Sequence, residues 1–326
     1  MGNNKHQIII LDGDTVTNGE ISWDQIESIA PTAIYANLKE STEIIKEAVD
    51  ATILIANKSL LSRGTLEQLP KLKYICIAAT GYNNVDLDAC RSLGIQVSNV
   101  IGYSANSVVQ HIFAIILYHI NRPSEYFVET KNGVWSGKDN FSYWNRPWSE
   151  LKNLTLGILG FGSIGQSLAK LGLAFGMKVI STHTHPERDF MEGCEFVDSD
   201  HLLKQSDILS LNVPLTPITK YFINKDSLSK MKPTSILINT ARGGLIHTED
   251  LKVALLNKTI QAAFLDVLEE EPPPSNHPLL AVDNCYITPH MAWSSVQSRE
   301  RLITKIADNI HSFLKGETIN ELVGLS

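Results

Sequence analysis

The stretch with the most chemistry in it is Gly160-Phe161-Gly162-Ser163-Ile164-Gly165, a GxGxxG that follows the apolar run TLGILG and opens a helical pattern. In this context the first glycine permits a tight turn, the second lets the backbone approach a pyrophosphate, and the third lets helix and strand pack closely. The helix N-terminus offers unsatisfied N–H groups to the phosphates. About 20 residues on, where an acid would bind a ribose 2′-hydroxyl, the chain instead reads Ser181-Thr182-His183-Thr184-His185-Pro186. A hydroxyl and imidazole cluster with Arg188 nearby tolerates a 2′-phosphate better than an aspartate does, so NAD(H) and NADP(H) both stay open. Reading His183 and His185 as metal ligands is poor because no third ligand is in view, and no metal is expected.

Three further positions complete a candidate site. Arg242 lies in INTARGGLI at the carboxyl end of a strand, where ligands bind in open α/β sheets. The small residues around it, Thr240, Ala241, Gly243 and Gly244, suggest close backbone approach to something planar. LEEEPPP presents Glu269, Glu270 and Glu271, and the residues alone do not choose among them. His290, in ITPHMAW, follows another strand and precedes the last helix. Singly, these residues read as a surface salt bridge, a solvated acidic face and a structural histidine. Together they supply an arginine for a carboxylate, a histidine near neutrality for a proton, and a carboxylate to hold that histidine protonated.

The elements that must position these groups alternate along the chain. In the first hundred residues QIIILDG (7–13), TAIYAN (32–37), ATILIAN (51–57), YICIAAT (74–80) and IQVSNV (95–100) read as strands buried on both faces, since they lack period-2 alternation. Amphipathic stretches separate them, including STEIIKEAV, where Ser41 is placed to cap the helix start. Tyr103 to Asn121 reads as one long helix, followed by an aperiodic arm, NGVWSGKDNFSYWNRPW. From Leu154 the alternation restarts, with strands TLGILGF, KVISTH, DILSLNV, SILINTA, IQAAFLDV and CYITP and helices between them. The closing segment SSVQSRERLITKIADNIHSFLKG has apolar residues at 302, 303, 306, 310, 313 and 314, a helical spacing long enough to reach back to the first domain. Pro272 to Pro274 forms a rigid turn.

A chain of 326 residues suggests two domains at about 100–200 residues each. With 43% hydrophobic and 19% charged residues the composition is that of an ordinary globular protein. Apolar stretches such as Ile112 to Tyr118 fall short of the roughly 18 residues a bilayer span needs, and MGNNKHQIIILDG lacks a secretory cleavage site, so a cytoplasmic location and no membrane association are expected. The net charge of -7 without a basic run argues against a nucleic-acid partner. Cys76, Cys90, Cys194 and Cys285 show neither CxxC pairing nor zinc-site spacing and read as reduced structural thiols.

INTARGGLI, FLDVLEEEPPPSNHPLL and ITPHMAW behind GFGSIG resemble the D-isomer-specific 2-hydroxyacid dehydrogenase family, in its glycerate dehydrogenase (hydroxypyruvate reductase) branch. The similarity covers nearly the whole chain: AATGYNNVDL resembles the family's substrate loop and VIGYSANSVVQH the start of its interdomain helix. The resemblance implies two doubly wound α/β domains, a flavodoxin-like substrate domain (1–101 plus 299–326) and a Rossmann cofactor domain (102–298), with an active-site cleft between them. It implies reduction of a short 2-keto acid, with Arg242 as carboxylate and carbonyl anchor, His290 as acid/base and Glu271 as its partner. Thr80 and Gly81 would meet the substrate carboxylate, and Trp293 is typical of the hydroxypyruvate-reducing branch. Cofactor contacts are implied at Gly160, Phe161, Gly162, Ser163, Ile164, Gly165, His183, Thr184, Pro214, Thr240, Ala241, Asp266 and His290. Tyr103 to Trp148 would form a homodimer contact. His183 in place of the strand-end acid, Asn212 where a histidine is usual and Tyr82 beside the substrate loop depart from the pattern. Another 2-hydroxyacid or phosphite dehydrogenase, or a dinucleotide-binding regulatory protein of the same fold, would share these motifs.

Overall fold

A computed structural model of the chain describes residues 6–317 and 319–324, so the first residues of the N-terminal stretch weighed above, and residues 318, 325 and 326 of the expected first domain, lie outside the described residues. The chain divides into two compact units, one holding the residues through Ser104 together with those from Ser294 onward, the other Ala105–Trp293.

The first unit is built on six strands: β1 (Ile8–Ile10), β2 (Thr32–Ile34), β3 (Ile53–Ala56), β4 (Tyr74–Ile77), β5 (Gln96–Ser98) and, from the chain's end, β13 (Glu321–Val323). Their spatial order is β13-β5-β4-β3-β1-β2, parallel throughout except that β13 runs antiparallel to β5. Ile8, Ile9 and Ile10 are all essentially inaccessible, which is why this run shows no alternation: a parallel strand covered on both faces has no polar side. Ser41 is the first residue inside helix Ser41–Ala48 rather than its cap; Glu40 holds the cap position and no side chain bonds there. The closing helix, Val296–Lys315, starts at Ser295, whose hydroxyl accepts from the Ser298 N–H, and stops at Gly316 in the left-handed region. Leu302, Ile303, Ile306 and Ile310 of the expected stripe are buried, Phe313 stacks on Tyr74 with ring centroids 4.4 Å apart, and Leu314 is exposed.

The second unit carries seven parallel strands: β6 (Thr155–Leu159), β7 (Lys178–Thr182), β8 (Cys194–Phe196), β9 (Ile208–Leu211), β10 (Ile236–Asn239), β11 (Ala262–Leu265) and β12 (Cys285–Ile287). Their order, β12-β11-β10-β9-β6-β7-β8, means that the chain winds outward from β6 through β8, then returns to β9 and winds the other way. The switch point lies between β6 and β9, where an open sheet forms its ligand crevice. The long helix runs Ala105–Asn121, burying Val108, Val109, Ile112, Phe113 and Ile116. No helix among the described residues is long and apolar enough to cross a membrane.

Candidate active site

The glycine motif sits on the switch point. Gly160 follows β6 with φ +94°, and a Cβ there would meet Val213 Cγ1 at 2.5 Å and the Asn212 carbonyl oxygen at 2.8 Å, so only glycine makes this turn against the loop after β9. A Cβ on Gly165 would lie 2.3 Å from the Gly160 carbonyl oxygen, which fixes the close packing of helix on strand. Gly162 differs from both: a Cβ there would meet nothing within 4 Å. Helix Ser163–Ala174 begins at this open glycine with no side-chain cap, so no side chain at the cap satisfies its first N–H groups. Phe161 is buried, Ser163 is exposed and Ile164 half-buried. The buried Asn212 Oδ1, at the far lip of the crevice, has no hydrogen-bond partner among the described residues. An uncapped helix N-terminus supplies donors, an open glycine supplies space and the orphaned Asn212 oxygen supplies an acceptor, which together fit a dinucleotide.

Just after β7 the His183 side chain is 7% exposed and packs against the contacting rings of Phe161 and Phe196. Its Nδ1 accepts the His185 N–H at 2.9 Å and its Nε2 lies 2.8 Å from Asp189 Oδ2. Thr184 and Pro214 are exposed, and the Pro214 carbonyl accepts the Thr219 hydroxyl at 2.7 Å.

Arg242, Glu271 and His290 follow the carboxyl ends of three neighbouring strands, β10, β11 and β12. Asn239, the buried last residue of β10, staples the arginine turn: its Nδ2 donates to the Arg242 carbonyl at 2.9 Å and its Oδ1 accepts the Ala241 N–H at 3.0 Å. Sequence reasoning passed over Asn239; a buried amide at a strand end beside small residues was its available signal. Thr240 is half-buried. Arg242 itself is half-buried, donates from Nη1 to the Ala241 carbonyl at 2.6 Å, and has no carboxylate partner among the described residues. A partly desolvated guanidinium without a counter-charge is a site for an anion. The flanking glycines serve a different purpose from the one their size suggests. A Cβ on Gly243 would fall 1.9 Å from the Leu268 carbonyl carbon and one on Gly244 would fall 2.9 Å from Leu215 Cδ2, so the close approach is to the protein's own chain.

The same contact explains how the glutamates are sorted. Glu269 accepts the Tyr221 hydroxyl at 2.6 Å, and this bond, helped by burial, pushes the Tyr221 phenol above its usual range. Glu271 turns the other way: its Oε1 accepts the Leu268 N–H at 2.8 Å and its Oε2 lies 2.6 Å from His290 Nδ1. Glu270 is exposed. With Nδ1 held, His290 Nε2 makes no hydrogen bond among the described residues. Asp266 faces the same turn. Its Oδ1 accepts the Thr288 hydroxyl at 2.6 Å and the Met291 N–H at 2.9 Å, and its Oδ2 accepts the Ala292 N–H at 2.8 Å. Trp293 Nε1 donates to the His290 carbonyl at 3.0 Å.

In the first unit, Thr80 and Gly81 lie in the loop after β4. The Asn99 side chain donates to the Thr80 carbonyl at 2.7 Å and the Thr80 hydroxyl to the Val100 carbonyl at 2.9 Å, while the Thr80 and Gly81 N–H groups bond to nothing in the described chain.

A glycine-rich crevice at the switch point of a parallel sheet, with an arginine, a glutamate and a histidine at the ends of its outer strands, defines a dinucleotide-dependent oxidoreductase. Residues 113–292 match the NAD-binding domain of the D-isomer specific 2-hydroxyacid dehydrogenases, and the chain belongs to that family. It is 35% identical to a hydroxypyruvate reductase of Blautia hydrogenotrophica over 96% of this chain and 98% of the relative. It is 38% identical to a glycerate dehydrogenase of Methylorubrum extorquens over 85% and 87% of the two chains. Among solved structures, D-lactate dehydrogenase of Aquifex aeolicus, complexed with NAD and lactic acid, matches with a TM-score of 0.83 at 31% identity, covering 98% of this chain and all of that one.

Proposed function

We propose that the protein reduces hydroxypyruvate, and also glyoxylate, to D-glycerate and glycolate. The observation that carries this reading is Arg242, a half-buried cation with no counter-charge among the described residues, in the turn whose Gly243 abuts the segment leading to Glu271 and so to the His290–Glu271 pair. A short 2-keto acid brings the carboxylate Arg242 lacks and a carbonyl oxygen that needs a proton. A reduced nicotinamide dinucleotide held over Gly160–Gly165 supplies the hydride. Arg242 binds the carboxylate and polarises the C2 carbonyl as negative charge develops on its oxygen. His290 Nε2 gives that oxygen its proton, while Glu271, itself fixed by the Leu268 N–H, holds the Nδ1–H and keeps the ring aimed. The free Thr80 and Gly81 N–H groups are assigned to carboxylate binding, and Trp293 to shaping the acceptor end through its bond to the His290 carbonyl. Asp266, Thr184, Pro214, Thr240 and Ala241 are assigned to the dinucleotide.

The aromatic side chains of Phe141 (97% exposed), Trp144 (70%) and Trp148 (59%) favour a homodimer in which Tyr103 to Trp148 forms the contact, since so much exposed aromatic surface calls for a partner. Four unpaired thiols favour the cytoplasm. Purified protein, assayed with hydroxypyruvate, glyoxylate, pyruvate and phosphite and either dinucleotide, is expected to turn over hydroxypyruvate with the highest kcat/KM. No turnover of any short 2-keto acid would refute the proposal. Light scattering gives the mass of the assembly, and a monomer at micromolar concentration would refute the dimer.

A further inference from the structure

The strand-end position that usually carries the ribose-binding acid is occupied by His183, yet a carboxylate does reach that place. The loop after β7 turns back on itself: the His185 N–H bonds to His183 Nδ1 at 2.9 Å, the Arg188 N–H bonds to the His185 carbonyl at 3.1 Å, and Asp189 follows. With Nδ1 acting as acceptor, the ring proton sits on Nε2 and is donated to Asp189 Oδ2 at 2.8 Å. Both nitrogens of His183 are therefore used and its ring packs against Phe161 and Phe196; it is a mount, and neither of its nitrogens is left to receive a ribose hydroxyl. Asp189 Oδ2 also accepts from Arg188 Nε at 3.1 Å and Nη2 at 3.0 Å, whereas its Oδ1 carries no bond within the described chain. The carboxylate is 23% exposed and the guanidinium 70%.

We propose that Asp189, mounted on His183, is the residue that sets dinucleotide preference, its free Oδ1 accepting the adenosine ribose hydroxyls and its charge disfavouring a 2′-phosphate. This rests on the reading of Gly160–Gly165 as the dinucleotide cradle. The neighbouring Arg188 does not reverse the preference, because its charge is already balanced by Asp189: a 2′-phosphate has to break that pair to use the guanidinium and then stands beside the carboxylate it has freed. Asp189 keeps its charge over the working range, since Arg188 first and His183 second hold its carboxyl below the usual carboxylate range. The chain thus binds NADH in preference to NADPH, although no acid stands at the strand end itself.

The test is equilibrium binding, followed by quenching of protein fluorescence, of NADH and NADPH to the wild-type protein and to Asp189→Asn and Arg188→Gln. Wild type is expected to bind NADH at least tenfold more tightly. Asp189→Asn should narrow that ratio by about tenfold, mostly by tightening NADPH, and Arg188→Gln should leave the NADH constant within about threefold, since guanidinium and ribose hydroxyl do not compete for the same oxygen. Adenosine 5′-monophosphate and adenosine 2′,5′-bisphosphate, titrated into wild type, need no variant, and the monophosphate should bind more tightly. If both dinucleotides bind but Asp189→Asn leaves their ratio within twofold of wild type, or if wild type favours the 2′-phosphorylated ligands, the assignment of Asp189 is overturned while the cradle stands. If neither dinucleotide binds, the cradle reading falls and Asp189 with it.

Discussion

Replacing Gly243 with alanine adds one carbon to a residue that touches no substrate in the proposed reaction, yet it should disable the proton donor. The new Cβ would lie 1.9 Å from the Leu268 carbonyl carbon, 2.1 Å from its oxygen and 2.3 Å from the Glu269 nitrogen. Carbon atoms rest at about 3.5 Å, so one of the two backbones must retreat by about 1.5 Å. Neither obstacle is a flexible side-chain tip. Glu271 travels with the displaced segment because its Oε1 is bonded to the Leu268 N–H, and a shift of that size opens the 2.6 Å Oε2 to His290 Nδ1 contact beyond hydrogen-bond range. A misplacement of about 1 Å in a catalytic group is worth roughly 100-fold in rate. Gly243→Ala should therefore lower kcat for hydroxypyruvate by about that factor, while the dinucleotide dissociation constant, set at Gly160–Gly165 and the loop at Asn212, stays within about threefold. Steady-state kinetics at saturating dinucleotide, with fluorescence titration of the same preparation, reads both. A kcat within threefold of wild type in a variant that still binds dinucleotide would refute the argument that this packing contact positions Glu271.

The other predictions follow from single contacts. His290→Gln should lower kcat by about 100-fold or more, within the range for a general acid, and leave dinucleotide titration unchanged; near-normal kcat would reassign the proton donor. Glu269→Gln, which weakens only the bond to the Tyr221 hydroxyl, should cost less than about threefold in kcat by the small effects typical of exposed pairs, against a much larger loss for Glu271→Gln, and equal losses would mean that the glutamates are wrongly sorted. Burial raises the thiols of Cys76 and Cys194 to about 11 and of Cys90 and Cys285 to about 12; at pH 8 the thiolate fraction of each is then on the order of one in a thousand or less. A thiol reagent should titrate all four only after denaturation, and fast reaction of the native protein would contradict that burial. Asn309→Ala, in the closing helix, strands the buried Asn99 carbonyl that its Nδ2 bonds at 2.9 Å and should destabilise the first unit by about 1–3 kcal/mol, read by urea titration.

The strands that carry chemistry were legible because both of their signals are local. A continuous apolar run marks a strand buried on two faces, and a glycine or small-residue cluster marks where it stops: TLGILGF breaks at Gly160 because φ there is positive, and SILINTA ends at Asn239 because its side chain bonds the following turn. Cys194–Phe196 and Glu321–Val323 were not legible. Each is a three-residue edge strand too short to show a pattern, and Glu321–Val323 in addition pairs antiparallel with a strand far away in sequence. In the site, the motif order pointed to Arg242, Glu271 and His290, but the purpose of Gly243 was misread, since a small residue announces a close approach without naming what approaches. Asp189 was invisible for the opposite reason. It lies among Glu187, Arg188 and Glu192 in an ordinary charged loop, and only the turn that returns it to His183 gives it a place at the strand end.

The histidine shows how much of such a site lies in groups that do no chemistry. His290 has φ +52°, a left-handed conformation that costs a non-glycine residue on the order of 1 kcal/mol or more and persists only where surrounding bonds over-determine it. Those bonds are present on every side of the turn. The buried Asp266 carboxylate takes the next two N–H groups, those of Met291 and Ala292, together with the Thr288 hydroxyl. Ser107 Oγ donates to the Ala292 carbonyl at 2.7 Å and Trp293 Nε1 to that of His290. His111 Nε2, from the long helix, stands 3.3 Å from the Thr288 hydroxyl. Asp266 thus clamps the loop that carries His290, while its Oδ2, which accepts only the Ala292 N–H, keeps acceptor capacity. The backbone gives the imidazole its direction and Glu271 then fixes its rotation, so the Nε2, unbonded among the described residues, is aimed by two independent restraints, and in the proposed reaction loosening either one misdirects the proton without removing it.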